Sequence, residues 1–165
     1  MQIEQLDKKK HIRKSFFCGI PALDTYLKER ASQDLQRYIA VTYVLCDDES
    51  TIAGFYSLSS TSIDTGILPE DVVRKLPKYP HLPATLIGRL AVDQRYQGQG
   101  LGEYLLMDAL HRSYQQSHRI AATAVIVDLK NKDARSFYGK YGFITLPDQP
   151  ERMFITMSTV SKMFL

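Results

Sequence analysis

Residues 86–102 read LIGRLAVDQRYQGQGLG. A mostly apolar run, Leu86 to Val92, stops at Asp93, and a short polar turn follows. Three glycines, Gly98, Gly100 and Gly102, then alternate with Gln99 and Leu101, ahead of a helix-like segment, Glu103 to Tyr114. Strand, glycine-rich turn and helix in that order form an anion site. The unpaired N–H groups at a helix start point outward, and the helix dipole adds partial positive charge. Glycines let a phosphate lie directly against the backbone. A Walker loop would need Lys and then Ser or Thr after its last glycine, but Glu103 follows Gly102. The dinucleotide fingerprint fails by one residue, because Glu103 holds its third glycine position. What remains is Arg95-Tyr96-Gln97-Gly98-Gln99-Gly100, an R-x-x-G-x-G. An ordinary tight turn would be served by one glycine. Three, each weakening a helix start, point to a ligand.

Outward from this stretch the chain alternates between helical and extended patterns. Residues 15–35 turn at Gly19 and Pro21 and continue at helical spacing through Leu23, Tyr26, Leu27 and Ala31, with Pro21 in the first turn. Residues 36–46 and 51–62 read as strands around an Asp47–Ser50 hairpin turn, with a bulge at Gly54. Residues 63–82 read as irregular except for a short helical piece after Pro69, and His81 as a loop residue bracketed by Pro80 and Pro83. After the glycine turn, Leu101, Leu105 and Ala109 make one helical stripe, which ends around Gln115–Ser117. Residues 120–128, apolar on both faces, suit an interior parallel strand reached by a right-handed crossover. Asn131 caps a further helix with Ala134, Phe137, Tyr138 and Tyr141 on one stripe, and Gly142 ends it. Phe143–Leu146 and Met153–Thr159 read as the last strands.

Composition narrows the class. The chain has 165 residues, 44% hydrophobic and 24% charged, which fits one soluble domain, residues 1–165, with its own core. No apolar run approaches the roughly 20 residues of a membrane span. The N-terminus, MQIEQLDKKKHIRKSF, has no signal-peptide core, so the expected compartment is the cytoplasm, with no membrane partner. Cys18 and Cys46 lie far apart and form no C-x-x-C pair, and the four histidines show no metal-ligand spacing. No metal is expected. The net charge of +3 is mild, but Lys8, Lys9, Lys10, His11, Arg13 and Lys14 cluster. They form either a solvated face or a phosphate-contacting patch, together with Arg74, Lys75 and Lys78.

The R-x-x-G-x-G stretch resembles the acetyl-coenzyme A signature of the GCN5-related N-acetyltransferases, the GNAT family. The segment from Asn131 to Phe143, NKDARSFYGKYGF, resembles that family's N-x-x-A-x-x-F-Y-x-x-x-G-F, one crossover further on. Phe17-Cys18-Gly19, Leu23-Asp24, Tyr26-Leu27, Gly88 to Asp93 and Met153 to Phe164 are similar to the GNAT toxins of bacterial toxin–antitoxin modules. The likeness spans nearly the whole chain. It implies an α/β (α+β) fold, the GNAT acyl-CoA N-acyltransferase fold, with a mixed central sheet flanked by helices in a single domain. It also implies acetyl-CoA as co-substrate, the α-amine of aminoacyl-tRNA as acceptor, and arrested translation. The partner it implies is a small ribbon-helix-helix antitoxin. The oligomeric state is left open between a monomer and a homodimer, the latter with the C-terminal strand as pairing edge.

The resemblance also assigns roles. Backbone groups of Leu90, Ala91 and Val92 would bind the pantetheine arm. N–H groups from Gln97 through Gly98, Gln99, Gly100, Leu101 and Gly102 would take the pyrophosphate. Asn131 and Phe137 would flank the arm. Tyr138 would be the acid, since a phenol of pKa ~10 stays protonated at neutral pH. By its stripe alone, Tyr138 reads as a core residue. No base is evident: Glu103 suits a first-turn carboxylate. An α-amine of pKa ~8 needs less help than a lysine at ~10.4. Arg89 reads either as a salt-bridged structural residue or as a contact for an anionic acceptor. The competing functions are a GNAT enzyme for protein or small-molecule amines, and an acyl-CoA-binding module without turnover.

Overall fold

The computed structural model describes all of residues 1–165, arranged as two units: Met1–Ser59 with Ile87–Ala109, and Ser60–Leu86 with Leu110–Leu165. In the first unit the chain opens on a strand, β1 (Gln2–Gln5). It lies antiparallel on β2 (Val41–Cys46), with Gln2 opposite Cys46 and Gln5 opposite Tyr43. Between them runs a helical stretch: α1 (Pro21–Thr25), a π-helical segment (Tyr26–Arg30) and α2 (Ala31–Gln36). Pro21 starts it, where the missing N–H is harmless. Leu23, Tyr26, Leu27 and Ala31 are buried against Phe16, Val44 and Phe55, as the helical spacing predicts.

The strand expected over 36–46 begins only at Val41. The helix runs to Gln36, and its closing turn uses the next residues. The Ile39 N–H donates to the Asp34 carbonyl (2.8 Å) and the Tyr38 N–H to that of Leu35 (3.2 Å). This is the pattern that usually ends on a left-handed glycine. Here Tyr38 takes that conformation, φ 60°, with its side chain 97% exposed.

Strand β3 (Ile52–Asp64) pairs back on β2 around the expected turn, where the Asp48 carboxylate accepts from the N–H groups of Ser50 (2.9 Å) and Thr51 (2.6 Å). Leu45 faces Gly54 and Cys46 faces Ile52, so Ala53 is the bulged residue, beside the expected Gly54. Gly54 has a second constraint. A Cβ there would sit 2.7 Å from Leu105 Cδ1 and 2.9 Å from the Ala91 carbonyl oxygen. Any side chain would push helix or strand away.

In the second unit β3 ends in a 3-10 turn (Thr65–Ile67), followed by α3 (Glu70–Val73) after Pro69. Strand β4 (His81–Val92) starts earlier than expected: His81 and Pro83 lie in it rather than in a loop. Pro83 lacks an N–H but keeps its carbonyl, which accepts from the Thr123 N–H (2.9 Å). Helix α4 (Leu101–Gln116) follows the glycine turn, with Leu105, Leu106, Ala109 and Leu110 fully buried. β5 (Ala124–Asp128) starts at Ala124 rather than at 120, because the end of α4 winds on: the Ile120 N–H still bonds the Gln116 carbonyl. Its first four residues are buried, as an interior strand requires.

The chain ends with α5 (Ala134–Gly139), β6 (Ile144–Leu146), β7 (Gln149–Thr156) and α6 (Met157–Met163). The strand expected over 153–159 therefore stops at Thr156, whose hydroxyl caps α6 by accepting from the Thr159 N–H (3.3 Å). Strand order in the mixed sheet is β1-β2-β3-β4-β5-β7-β6. β7 is paired on both sides, antiparallel to β5 and to β6. It offers no free edge, which corrects the expectation of a dimer built on the C-terminal strand.

Tyr38 sets a test of this description. Tyr38→Gly removes a left-handed non-glycine residue and should stabilise the protein by about 1 kcal/mol. Thermal unfolding should show a Tm rise of ~2–4 °C.

Candidate functional site

The end of β4 is fixed by a carboxylate. Asp93 is 1% exposed and accepts at both oxygens: from the Phe17 N–H (2.9 Å), the Arg95 N–H (2.8 Å), and Arg95 Nε and Nη2 (2.9 and 3.2 Å). Burial by itself raises its pKa. The Arg95 guanidinium and the two N–H donors outweigh that and hold the carboxyl below its ordinary value. The arginine of the R-x-x-G-x-G pattern thus braces the turn. Gln97 Nε2 donates to the carbonyls of Val92 (2.9 Å) and Cys18 (3.2 Å), and the Gln94 N–H to that of Phe17 (2.9 Å). Phe17 and Cys18 therefore latch a turn 76 to 79 positions away. The sequence held no local signal for this latch.

Beyond the brace, Gly98 and Gly100 take φ of 81° and 78°. A Cβ at either would meet nothing within 4 Å, so backbone conformation alone demands glycine and the space above is open. Gly102 lies inside the first turn of α4. The Tyr104 N–H donates to the Gly100 carbonyl (3.1 Å), so the amides ahead of it precede the helix's i−4 pattern. Gln97 to Gly100 are exposed, and Leu101 and Gly102 half-buried. Open space over glycine backbone at a helix start fits a pyrophosphate. On β4, Ala91 is buried and Leu90 and Val92 half-buried.

In the second unit, Asn131 Oδ1 accepts from the Ala134 N–H (2.8 Å), the capping read from the sequence. Phe137 is half-buried, its ring edge-on to Tyr138 at 5.1 Å and to Tyr141 at 5.4 Å. Tyr138 is 5% exposed and also packs edge-on against Phe143 (5.3 Å). Burial first, and the Asp128 charge second, push its phenol well above the ordinary value. Tyr138 is thus both a core residue and a protonated phenol at neutral pH.

Other candidates resolve on their contacts. Arg89 lies over the Tyr26 ring, 3.6 Å from its centroid, a partner that neither sequence reading named. Burial pushes the Cys18 thiol up to about 11, which suits no nucleophile. Glu103 is exposed in the first turn of α4. Glu4, His11 and Cys46 bring donor atoms within 4.8 Å of one another, a cluster hidden from the sequence because β1 was. The chemistry of that set does not fit a metal. The Asp7 N–H donates to His11 Nδ1 (2.9 Å), which leaves the ring proton on Nε2, facing Glu4 Oε1 (2.8 Å). That ring has no lone pair free for an ion, and burial pushes the Cys46 thiol up to about 11.

The Asp93 brace has a pH signature. Because its pKa is depressed by folding, its contribution is fully present above the unfolded carboxyl value near ~4 and is lost as pH falls through the lower folded value. Asp93→Asn should cost about 1–3 kcal/mol at neutral pH and flatten the acid limb of stability below pH ~4, read by denaturant unfolding at stepped pH.

The family model for the acetyltransferase (GNAT) domain matches residues 19–163. Probable toxin TacT of Sinorhizobium fredii is 36% identical over 166 residues, 96% of this chain and 92% of that protein. The tRNA-acetylating toxin of Mycobacterium tuberculosis is 36% identical over 143 residues, 87% of this chain and 84% of that one. Three solved structures are similar throughout. AtaT complexed with acetyl-methionyl-tRNAfMet has a TM-score of 0.90 at 27% identity, covering 99% of each chain. AtaTR bound with AcCoA has 0.86 at 28%, covering 99% of this chain and 98% of that chain. An AtaT variant bound to the C-terminus of the antitoxin AtaR has 0.84 at 25%, covering 99% and 97%. With the family model matched over residues 19–163 and a relative 36% identical over 96% of its length, the chain belongs to the GNAT acetyltransferases.

Proposed function

We propose that this chain is a toxin that transfers the acetyl group of acetyl-CoA to the α-amine of aminoacyl-tRNA and so blocks translation. The observation that carries the donor half is the braced turn, with two left-handed glycines under open space at the start of α4. The acceptor half is supported by similarity to the tRNA-acetylating toxin and to AtaT with acetyl-methionyl-tRNAfMet.

Acetyl-CoA supplies an acyl group activated as a thioester. The amides of Gln97, Gly98, Gln99, Gly100, Leu101 and Gly102 hold its pyrophosphate. Backbone groups of Leu90, Ala91 and Val92 bind the pantetheine arm, flanked by Asn131 and Phe137. The neutral α-amine attacks the thioester carbonyl carbon and the C–S bond breaks. The Tyr138 Oη–H gives its proton to the departing thiolate sulfur, and the acylated nitrogen sheds its proton to solvent. The phenol, held protonated across the neutral range by its raised pKa, regains one from solvent. The acceptor α-amine is partly neutral at pH 7 without a dedicated base.

Residues 1–165 act as a single acetyltransferase domain in the cytoplasm, where both substrates are found. No helix is long and apolar enough to cross a membrane. A ribbon-helix-helix antitoxin neutralises the enzyme, and a homodimer, if it forms, pairs through a surface other than β7.

Tyr138→Phe should lower turnover about 10²–10⁴-fold, measured as CoA release, with circular dichroism unchanged. Unaltered turnover in a folded variant removes Tyr138 from the reaction. A cell-free translation reaction with the protein and acetyl-CoA should stop, and mass analysis of the charged tRNA should find N-acetylated aminoacyl ester. Continued synthesis with acetyl-CoA consumed on another amine moves the acceptor to a protein or small molecule.

A further inference from the structure

The basic N-terminal cluster does not form a free arm. After β1 the chain turns at Asp7 and is pinned at Ile12, whose N–H donates to the Ser50 carbonyl (2.9 Å) and which bridges to Thr51. Arg13 Nη1 reaches the Leu27 carbonyl of the π-helical segment (3.4 Å), and the Phe16 N–H returns to the Arg13 carbonyl (3.2 Å). The result is a cavity of about 460 Å³ lined by Lys8, His11, Ile12, Arg13, Lys14 and Lys28.

Three features set this cavity apart from a solvated charged face. Lys28 joins from a different element, so the fold gathers cations that the sequence separates. The lining holds four cations and no carboxylate. Of the acids nearby, Glu4 is engaged by Lys10 (2.9 Å) and His11 (2.8 Å) and Asp7 by the Lys9 N–H (2.9 Å), and neither Lys9 nor Lys10 lines the cavity. Like charges gathered around one concavity repel each other unless an anion neutralises them. Four cations spread over that volume match successive phosphates of a chain better than a single phosphate, and the contacts they make are sequence-independent.

We propose that this cavity docks the phosphodiester backbone of the tRNA that carries the aminoacyl group. The inference rests on the acceptor proposed above, but its test has a separate readout. Direct binding of uncharged tRNA is measured across a salt series for the wild type, for Lys14→Gln/Lys28→Gln, and for Lys9→Gln/Lys10→Gln, which removes the same charge outside the lining. Kinetics are followed in parallel with aminoacyl-tRNA and with a small aminoacyl ester that lacks the tRNA body.

The lining pair should weaken tRNA binding on the order of 10-fold near 0.15 M salt and reduce the log–log salt slope by about 1.5. It should raise KM for aminoacyl-tRNA and leave kcat/KM for the small ester unchanged. The outer pair should do much less. Equal losses in the two pairs, or no loss in either, would overturn the proposal. So would intact tRNA binding with weakened inhibition by the antitoxin, which would make the cavity a protein-docking site. If the wild type binds tRNA through these residues yet acetylates no aminoacyl-tRNA, the acceptor reading fails and the docking site stands.

Discussion

A buried carboxylate organises the donor side of this protein. Asp93 terminates β4, receives the N-terminal loop through Phe17 and holds Arg95 at both oxygens. Burying a carboxylate is unfavourable unless charge and hydrogen bonds compensate it, and here four donors do so. With Asp93 satisfied, the chain leaves the strand in one direction, and Gln97 ties it back to Val92 and Cys18. The glycines downstream can then stay bare. The bare glycine backbone is placed by the side chains of Asp93, Arg95 and Gln97.

The division between bracing and binding explains what could be read from sequence. The glycine turn, the buried stripe of α4, the Asn131 cap and the Gly142 stop are local: each is written within a few residues of where it acts. The strand β1 was illegible because QIEQ carries no apolar alternation, and its partner β2 lies far along the chain. The start of β2 was misplaced because Tyr38 accepts a conformation usually left to glycine. His81 and Pro83 read as loop because proline rarely sits inside a sheet, yet the Pro83 carbonyl still accepts a hydrogen bond from the Thr123 N–H. The first three residues of α6, 157–159, were read as strand because the helix starts on a cap, Thr156, that only the folded chain reveals. In the site, the residues expected at the turn were found on it. The latch from Phe17 and Cys18 and the stacking of Arg89 on Tyr26 depend on folding and had no spacing to betray them.

Tyr138 shows why a core reading and a chemical reading need not compete. The aromatic neighbours that bury the ring also withdraw water from its hydroxyl, and the Asp128 charge opposes ionisation further. Packing therefore sets the protonation state. Asp128 is itself held by Arg152 across the β5–β7 pair (2.8 Å), so sheet register reaches the phenol through one carboxylate.

The paired left-handed glycines impose a requirement of chirality and not of size. Their backbone lies in the region natural to the mirror-image amino acids, and the direction in which a side chain would project is empty. A chain assembled chemically with D-alanine at position 100 would keep the turn's shape, because φ near 78° is relaxed for the mirror-image residue. L-alanine at the same position would strain the shape and project its methyl into the empty direction. The conformation is what excludes an L side chain there, and inverting a single stereocentre removes the exclusion.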